Sequence, residues 1–168
     1  MRAKLLLLLI PSHLGFAAIG FMLGIYLLPI MIAPPSPTND ELTHIADNAL
    51  FKADVRKNLP GSDALHWGEG TLYVSSQAIA LNGNLAPGPD YKLYLSQHTI
   101  ETAAEFKRLK PSLQYIGNIN TFNHFIVNLP EEVNPAQYNS AIVWCETFEK
   151  FITSAQYQTD LPPTSPTP

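Results

Sequence analysis

Few residues in this chain are equipped for chemistry, and one of them stands alone. Cys145 is the single cysteine among 168 residues, set in the run Ala141-Ile142-Val143-Trp144-Cys145-Glu146-Thr147-Phe148. With no second cysteine there is no intrachain disulfide, so the thiol packs, reacts or binds something else. The thiolate is the reactive form, and apolar surroundings raise a thiol's pKa. Ile142, Val143, Trp144 and Phe148 are apolar sequence neighbours, Glu146 is a carboxylate that disfavours the thiolate, and no cation lies closer than Lys150. Local sequence therefore describes a protonated cysteine filling a core.

The histidines are the other potential ligands. His13, His44, His66, His98 and His124 form no H-x-H or H-x-x-x-H pair, and there is neither a C-x-x-C nor a C-x-x-C-H attachment site. No metal centre is read from these spacings. A sulfur–nitrogen pair of Cys145 with His66 or His124 would have to be assembled by the fold; taken singly, each histidine reads as a surface or capping residue. Hydrolytic chemistry has still less support, because there is no G-x-S-x-G and Asp63, Glu69 and Asp90 suggest no paired-carboxylate site. Asp90, in Pro87-Gly88-Pro89-Asp90, is expected to hydrogen-bond local backbone in a turn.

These residues must be held by something, and composition shows what. Ten basic residues face 14 acidic ones, for a formal charge of −4. Arg2 and Lys4 precede the first long apolar run, so the chain beyond them carries eight basic against 14 acidic residues, a net −6. A mildly acidic domain without a basic stripe excludes nucleic acid as the expected partner. The span Leu14 to Ala33 carries no charge and has the length needed to cross a bilayer. Met31 stands where a signal-peptidase site wants a second small residue, so residues 1–33 read as an uncleaved, single-pass anchor. Arg2 and Lys4 before the span, with Asp40 and Glu41 after it, place the N-terminus in the cytoplasm and the domain on the periplasmic or extracellular side of the plasma (inner) membrane. Gly20 and Gly24 form a G-x-x-x-G pair, a weak pointer to helix pairing.

Residues 34–60 read as a stiff proline linker followed by a helix. Thr38, Asn39 and Asp40 offer N-caps, and Leu42, Ile45, Ala49 and Ala53 recur at helical spacing up to Pro60; His44 is expected half-buried beside that stripe. From residue 61 the period changes to two. Strands are predicted in GEGTLYVSS, QAIALNG, YKLYLSQ, LQYIGNI, HFIVNLP, YNSAIVWC and KFITSAQY, with a short helix in TIETAAEFKRLK. Tyr91, Leu93 and Leu95 share one face of their strand, with Lys92, Tyr94 and Ser96 on the other. Ala141, Val143 and Cys145 face one way, and Ile142, Trp144 and Phe148 the other; both faces are apolar, the mark of a strand covered on both sides. The fold expected for 61–158 is mainly β, an antiparallel sandwich or barrel-like domain with one or two short surface helices. Residues 159–168 read as a disordered Pro/Thr tail.

Gly88-Pro89-Asp90 before Tyr94-Leu95-Ser96, followed by Trp144-Cys145-x-x-Phe148, resembles the DM13 domain, with similarity running from about Leu65 to Tyr157. The chain departs from that family at FITSAQY, where a glycine commonly precedes the final small residue, and at TFNHF, where a glycine often precedes the strand. Cys145 remains in place. The resemblance implies an extracytoplasmic β-domain whose cysteine serves redox chemistry, as a bare thiol or as a ligand to a haem-like group, although no local motif supports such a group. Two readings follow. In one, an anchored redox or electron-transfer domain acts through Cys145 on a redox partner. In the other, a non-enzymatic binding or adhesion domain keeps Cys145 as a structural residue and presents exposed aromatics such as Tyr91 or Tyr94 to a protein partner.

Overall fold

The computed structural model describes residues 2–159, with side chains from residue 7 onward; the proline-rich stretch expected to be disordered lies outside the described residues from 160 on. Helix α1 runs from Arg2 to Ile32, and its 26-residue segment Leu7–Ile32 contains an apolar window of mean hydropathy 2.1. It is long and apolar enough to span a membrane. Helix α2, Asn39–Asp47, begins at a capping box in which Glu41 N–H donates to Thr38 Oγ1 and the Glu41 carboxylate accepts from Thr38 N–H.

The sequence pattern carried that helix too far. It stops at Asp47, and Phe51–Val55 is a strand, β1. Ala53 and Val55 are buried while Lys52 and Asp54 are exposed, so the period here is two and the helical phase of Ala49 and Ala53 is coincidental. His44 is exposed, not half-buried. The remaining strands are β2 (Gly68–Val74), β3 (Ala78–Leu85), β4 (Tyr91–Ser96), β5 (Gln114–Ile119), β6 (Asn123–Asn128), β7 (Ser140–Cys145) and β8 (Lys150–Gln156).

They form two antiparallel four-stranded sheets, ordered β1-β2-β3-β6 and β5-β4-β7-β8. The inner faces meet in one core, with Leu72, Val74, Ile79, Leu81 and Phe125 of the first sheet against Leu93, Leu95, Val143 and Ile152 of the second. The domain is thus a sandwich rather than a barrel. Leu42 of α2 is buried against the first sheet, whose β3 carries the small buried residues Ala78 and Ala80. Helix α3, Ala103–Leu109, covers the outer face of the second sheet. It starts at a second capping box, Thr102 with Glu105, and its Phe106 stacks on Trp144 at 4.0 Å with 12° between the rings. All six residues of β7 are buried. The double apolar face of that strand is explained by a sheet on one side and a helix on the other.

Candidate functional site

The quoted motif fragments, distant in sequence, meet on two neighbouring strands. β4 pairs with β7 so that Tyr91 lies opposite Cys145, Tyr94 opposite Ile142 and Ser96 opposite Ser140. Gly88-Pro89-Asp90 is the turn that feeds β4, and Asp90 adopts φ 55°, a left-handed conformation that aspartate tolerates. A Cβ on Gly88 would collide with the Tyr91 hydroxyl and ring, so only glycine lets that ring lie over the turn. The Tyr91 hydroxyl in turn donates to Ala86 O at 2.9 Å.

This turn is clamped to the end of β7. Cys145 Sγ–H donates to Pro89 O at 3.0 Å, and Glu146 N–H donates to Asp90 O at 3.1 Å. Thr147 Oγ1 donates to Asp90 Oδ2 at 3.4 Å, and Lys92 pairs with Asp90 at 3.6 Å. On the outer face, Glu146 accepts from Tyr94 Oη and from Lys110 Nζ, the latter at 2.6 Å.

The thiol is held protonated. Burial pushes the Cys145 pKa up; the Phe148 N–H opposes this in part, and the Asp90 and Glu146 carboxylates add to the rise. Cys145 is 2% exposed. Burial also raises the Tyr91 hydroxyl well above its ordinary value, and the neighbouring Cys145 reinforces the shift.

Cys145 nevertheless borders open space. A cavity of about 440 Å³ is lined by Cys145, Tyr91, the Pro87–Pro89 turn, Leu65, His66, Phe148 and Lys150, with Met22, Leu23, Ile25 and Tyr26 of α1 on another wall. Its size falls in the range of small-molecule sites, and its lining is chiefly apolar. Leu65 is 58% and Phe148 45% exposed. The sequence pattern put Phe148 with Trp144; instead the chain turns after Cys145, and Phe148 comes round to the thiol's cavity. The Trp-Cys-x-x-Phe spacing was the available signal, since three residues past a strand end is enough to reverse direction.

Of the two histidines considered with Cys145, the fold brings one. His66 lines the cavity, and its Nδ1 lies 2.8 Å from both carboxylate oxygens of Asp63. Asp63 is itself fixed, accepting Leu65 N–H at 2.8 Å. Burial alone would raise its pKa, but the His66 ring and the Leu65 N–H hold the carboxyl below its ordinary value. His124 sits on β6 of the other sheet at φ 58°, with its Nδ1 accepting Gly83 N–H at 3.2 Å; it is not among the residues lining this cavity. Among the described residues, no group of three or more His, Cys, Asp or Glu side chains is placed to hold a metal ion. Tyr91, Leu65 and Lys150 join the site without having been singled out for it; each enters through tertiary position.

A family model described as "Electron transfer DM13" matches residues 60–157. No curated protein and no solved structure matches the chain.

Proposed function

The chain belongs to the DM13 family of electron-transfer domains, and from that premise we propose that it is a membrane-anchored, extracytoplasmic electron-transfer domain in which Cys145 is a ligand to a prosthetic group and not a free thiolate. The observation that carries this is the position of the thiol: buried and hydrogen-bonded to Pro89 O, yet bordering apolar space whose walls on the domain side are Tyr91, Leu65, Phe148 and the Pro87–Pro89 turn. A bare thiol needs either thiolate character or a partner sulfur to pass electrons in pairs. The pKa of Cys145 is displaced in the wrong direction for the first, and the chain holds no second cysteine for the second.

A haem-like group fits the residues present. The cavity offers one sulfur donor, the ring of Tyr91 and the apolar side chains of Leu65 and Phe148 as walls, and little that is charged apart from Lys150. Cysteine sulfur is an established ligand of haem iron, and an iron tetrapyrrole held through Cys145 would supply one-electron redox chemistry. The protein's contribution is to keep the sulfur on the paired strands β4 and β7, the second of which is buried along its whole length. Cys145 must surrender the proton that Pro89 O now receives. Burial opposes that until a metal cation compensates the charge, so the site discriminates against remaining empty and ionised.

Helix α1 supports the anchor. With Met22 to Tyr26 in a bilayer, those residues no longer wall the cavity, because Lys150 and His66 cannot follow them into hydrocarbon. The cavity then opens beside the membrane surface. The basic residues Arg2 and Lys4 before the span favour the outer side for the domain, where a redox protein partner would meet it.

The test is the absorption spectrum of the full chain purified from membranes in detergent, beside Cys145→Ala. The expected result is a bound chromophore or metal in the wild-type chain, lost or spectrally shifted in the variant. A colourless, metal-free wild type with a thiol protected until unfolding would favour the binding-domain reading, to which the burial of Cys145 also conforms. The aromatic surface which that reading expects is not built from Tyr91 or Tyr94, since both are buried.

A further inference from the structure

The cavity beside Cys145 holds a second side chain with an unusual degree of preparation. His66 sits in the connection between β1 and β2, within a tight turn in which Asp63 N–H donates to His66 O at 2.9 Å and His66 N–H to Asp63 O at 3.3 Å. Its ring faces the carboxylate of Asp63 at 2.8 Å through Nδ1. An ionised carboxylate only accepts hydrogen bonds, so Nδ1 must carry the proton. In the neutral ring that leaves the lone pair on Nε2. Asp63 is kept in place by the Leu65 N–H, so the ring's orientation and tautomer are both dictated from behind. This is the carboxylate–histidine arrangement that stands behind metal-bound imidazoles, where the carboxylate fixes the ring and raises its basicity. The His66 side chain is 23% exposed and lines the same cavity as Cys145.

Other clusters carry less. Lys110, Glu146 and Tyr94 satisfy one another on the outer face. The buried Asn139 Oδ1, Trp144 Nε1 and Thr153 Oγ1 lack partners among the described residues, but Trp144 is packed under Phe106. The second histidine, His124, already spends its Nδ1 on a backbone N–H.

We propose that His66, oriented by Asp63, is the nitrogen donor of the Cys145 cavity, so that a metal-bearing planar group taken up there meets one cysteine sulfur and one histidine nitrogen. The inference rests on the prosthetic-group reading of Cys145. It adds a specific residue and a specific helper: His66 touches the group, and Asp63 acts through His66 as a positioning residue. A metal held by thiolate and imidazole together differs from one held by thiolate alone in coordination number and spin state, so the assignment can be read without any assay of turnover.

The experiment titrates ferric haem into the full-length chain in detergent micelles, with protein-free micelles as the blank. Absorbance and electron paramagnetic resonance are recorded for the wild type, Cys145→Ala, His66→Ala, Asp63→Asn and His124→Ala. The wild type is expected to give a saturable, low-spin, six-coordinate spectrum, and His66→Ala a high-spin, five-coordinate one. Asp63→Asn keeps the low-spin form but weakens binding about 10-fold, within the 10- to 100-fold effect of losing such a carboxylate. His124→Ala should match the wild type. If the wild type and His66→Ala share one spectrum and one affinity while Cys145→Ala loses both, the prosthetic-group reading stands and the role of His66 is overturned. If the wild type shows no saturable uptake beyond the blank, both fall together. His66 lies in a surface turn, and the circular dichroism of each variant separates a lost ligand from a lost fold.

Discussion

A buried thiol next to two carboxylates ionises with difficulty, and this governs how Cys145 behaves on its own. Its pKa in the folded chain lies above the unfolded value, raised first by burial. The sign is then fixed: the contribution to stability is complete below the unfolded pKa, about 8.5, and is lost as pH rises toward the native value. Tyr91 and Tyr157, both raised by burial, act with the same sign from about pH 10 upward. The urea midpoint, followed by tryptophan fluorescence, should therefore hold steady from pH 7 to about 8.5 and decline above it, with Cys145→Ala flattening the first part of the decline. Over the same range a maleimide should modify the native thiol slowly and the denatured thiol at once. Fast labelling of the native chain at pH 7 would mean an exposed thiolate and would restore the bare-thiol mechanism. At this scale the sequence was informative. The apolar neighbours of Cys145 and the adjacent Glu146 pointed to a protonated sulfur, and both act in that direction in the fold.

Elements decide whether that sulfur has anything to face. The Pro87–Asp90 turn is held by hydrogen bonds from Cys145 and Glu146 and by the Tyr91 ring over Gly88. Tyr91 is not free to yield, being buried with its hydroxyl bonded to Ala86 O. Gly88→Ala should therefore cost about 1–3 kcal/mol, the usual penalty for overpacking, and should quicken maleimide labelling of Cys145 as the turn withdraws from β7. Unchanged stability and unchanged protection would show that the turn does not guard the thiol. The legibility of elements varied with the strength of their local signals. Helix α3 was plain because TIETAAEFKRLK is rich in good helix formers and Pro111 follows; the capping box of Thr102 with Glu105 emerged in the fold. The end of α2 was misplaced because Ala49 and Ala53 satisfy a helical spacing by accident, whereas β1 exists through its ladder with β2, from Phe51 opposite Val74 to Val55 opposite Gly70. Strand pairing is a long-range bond, and the alternation over five residues in Phe51–Val55 is too short to outweigh the helical spacing that overlaps it.

For the whole molecule, the placement of α1 matters most. Twenty-six residues at 1.5 Å each give about 39 Å of helix, more than the roughly 30 Å of a bilayer's hydrocarbon core. Leu23→Arg puts a charge near the centre of that span, at a cost of about 2.5–3.5 kcal/mol on insertion scales. The wild-type chain should stay with the membrane through alkaline carbonate extraction, and a larger share of Leu23→Arg should be released. Equal retention of the two would indicate that α1 is held by protein rather than by lipid, as the wall that Met22 to Tyr26 make against the Cys145 cavity would then suggest.

By itself the sequence determined the apolar helix, the mainly β class, seven of the eight described strands and the family to which residues 60–157 belong. These follow from short-range quantities: period, turn chemistry and the spacing of a few motif residues. The tertiary structure decided what no spacing contains. It closed two four-stranded sheets into a sandwich, covered the Trp144 face with Phe106, and turned Phe148 toward the thiol and away from Trp144. It brought His66 and not His124 to the cavity, across 79 positions of sequence from Cys145. The physical reason is that burial and register are cooperative. A side chain's neighbours are chosen when whole faces exclude water together, and one residue's pattern cannot specify which distant loop will complete them.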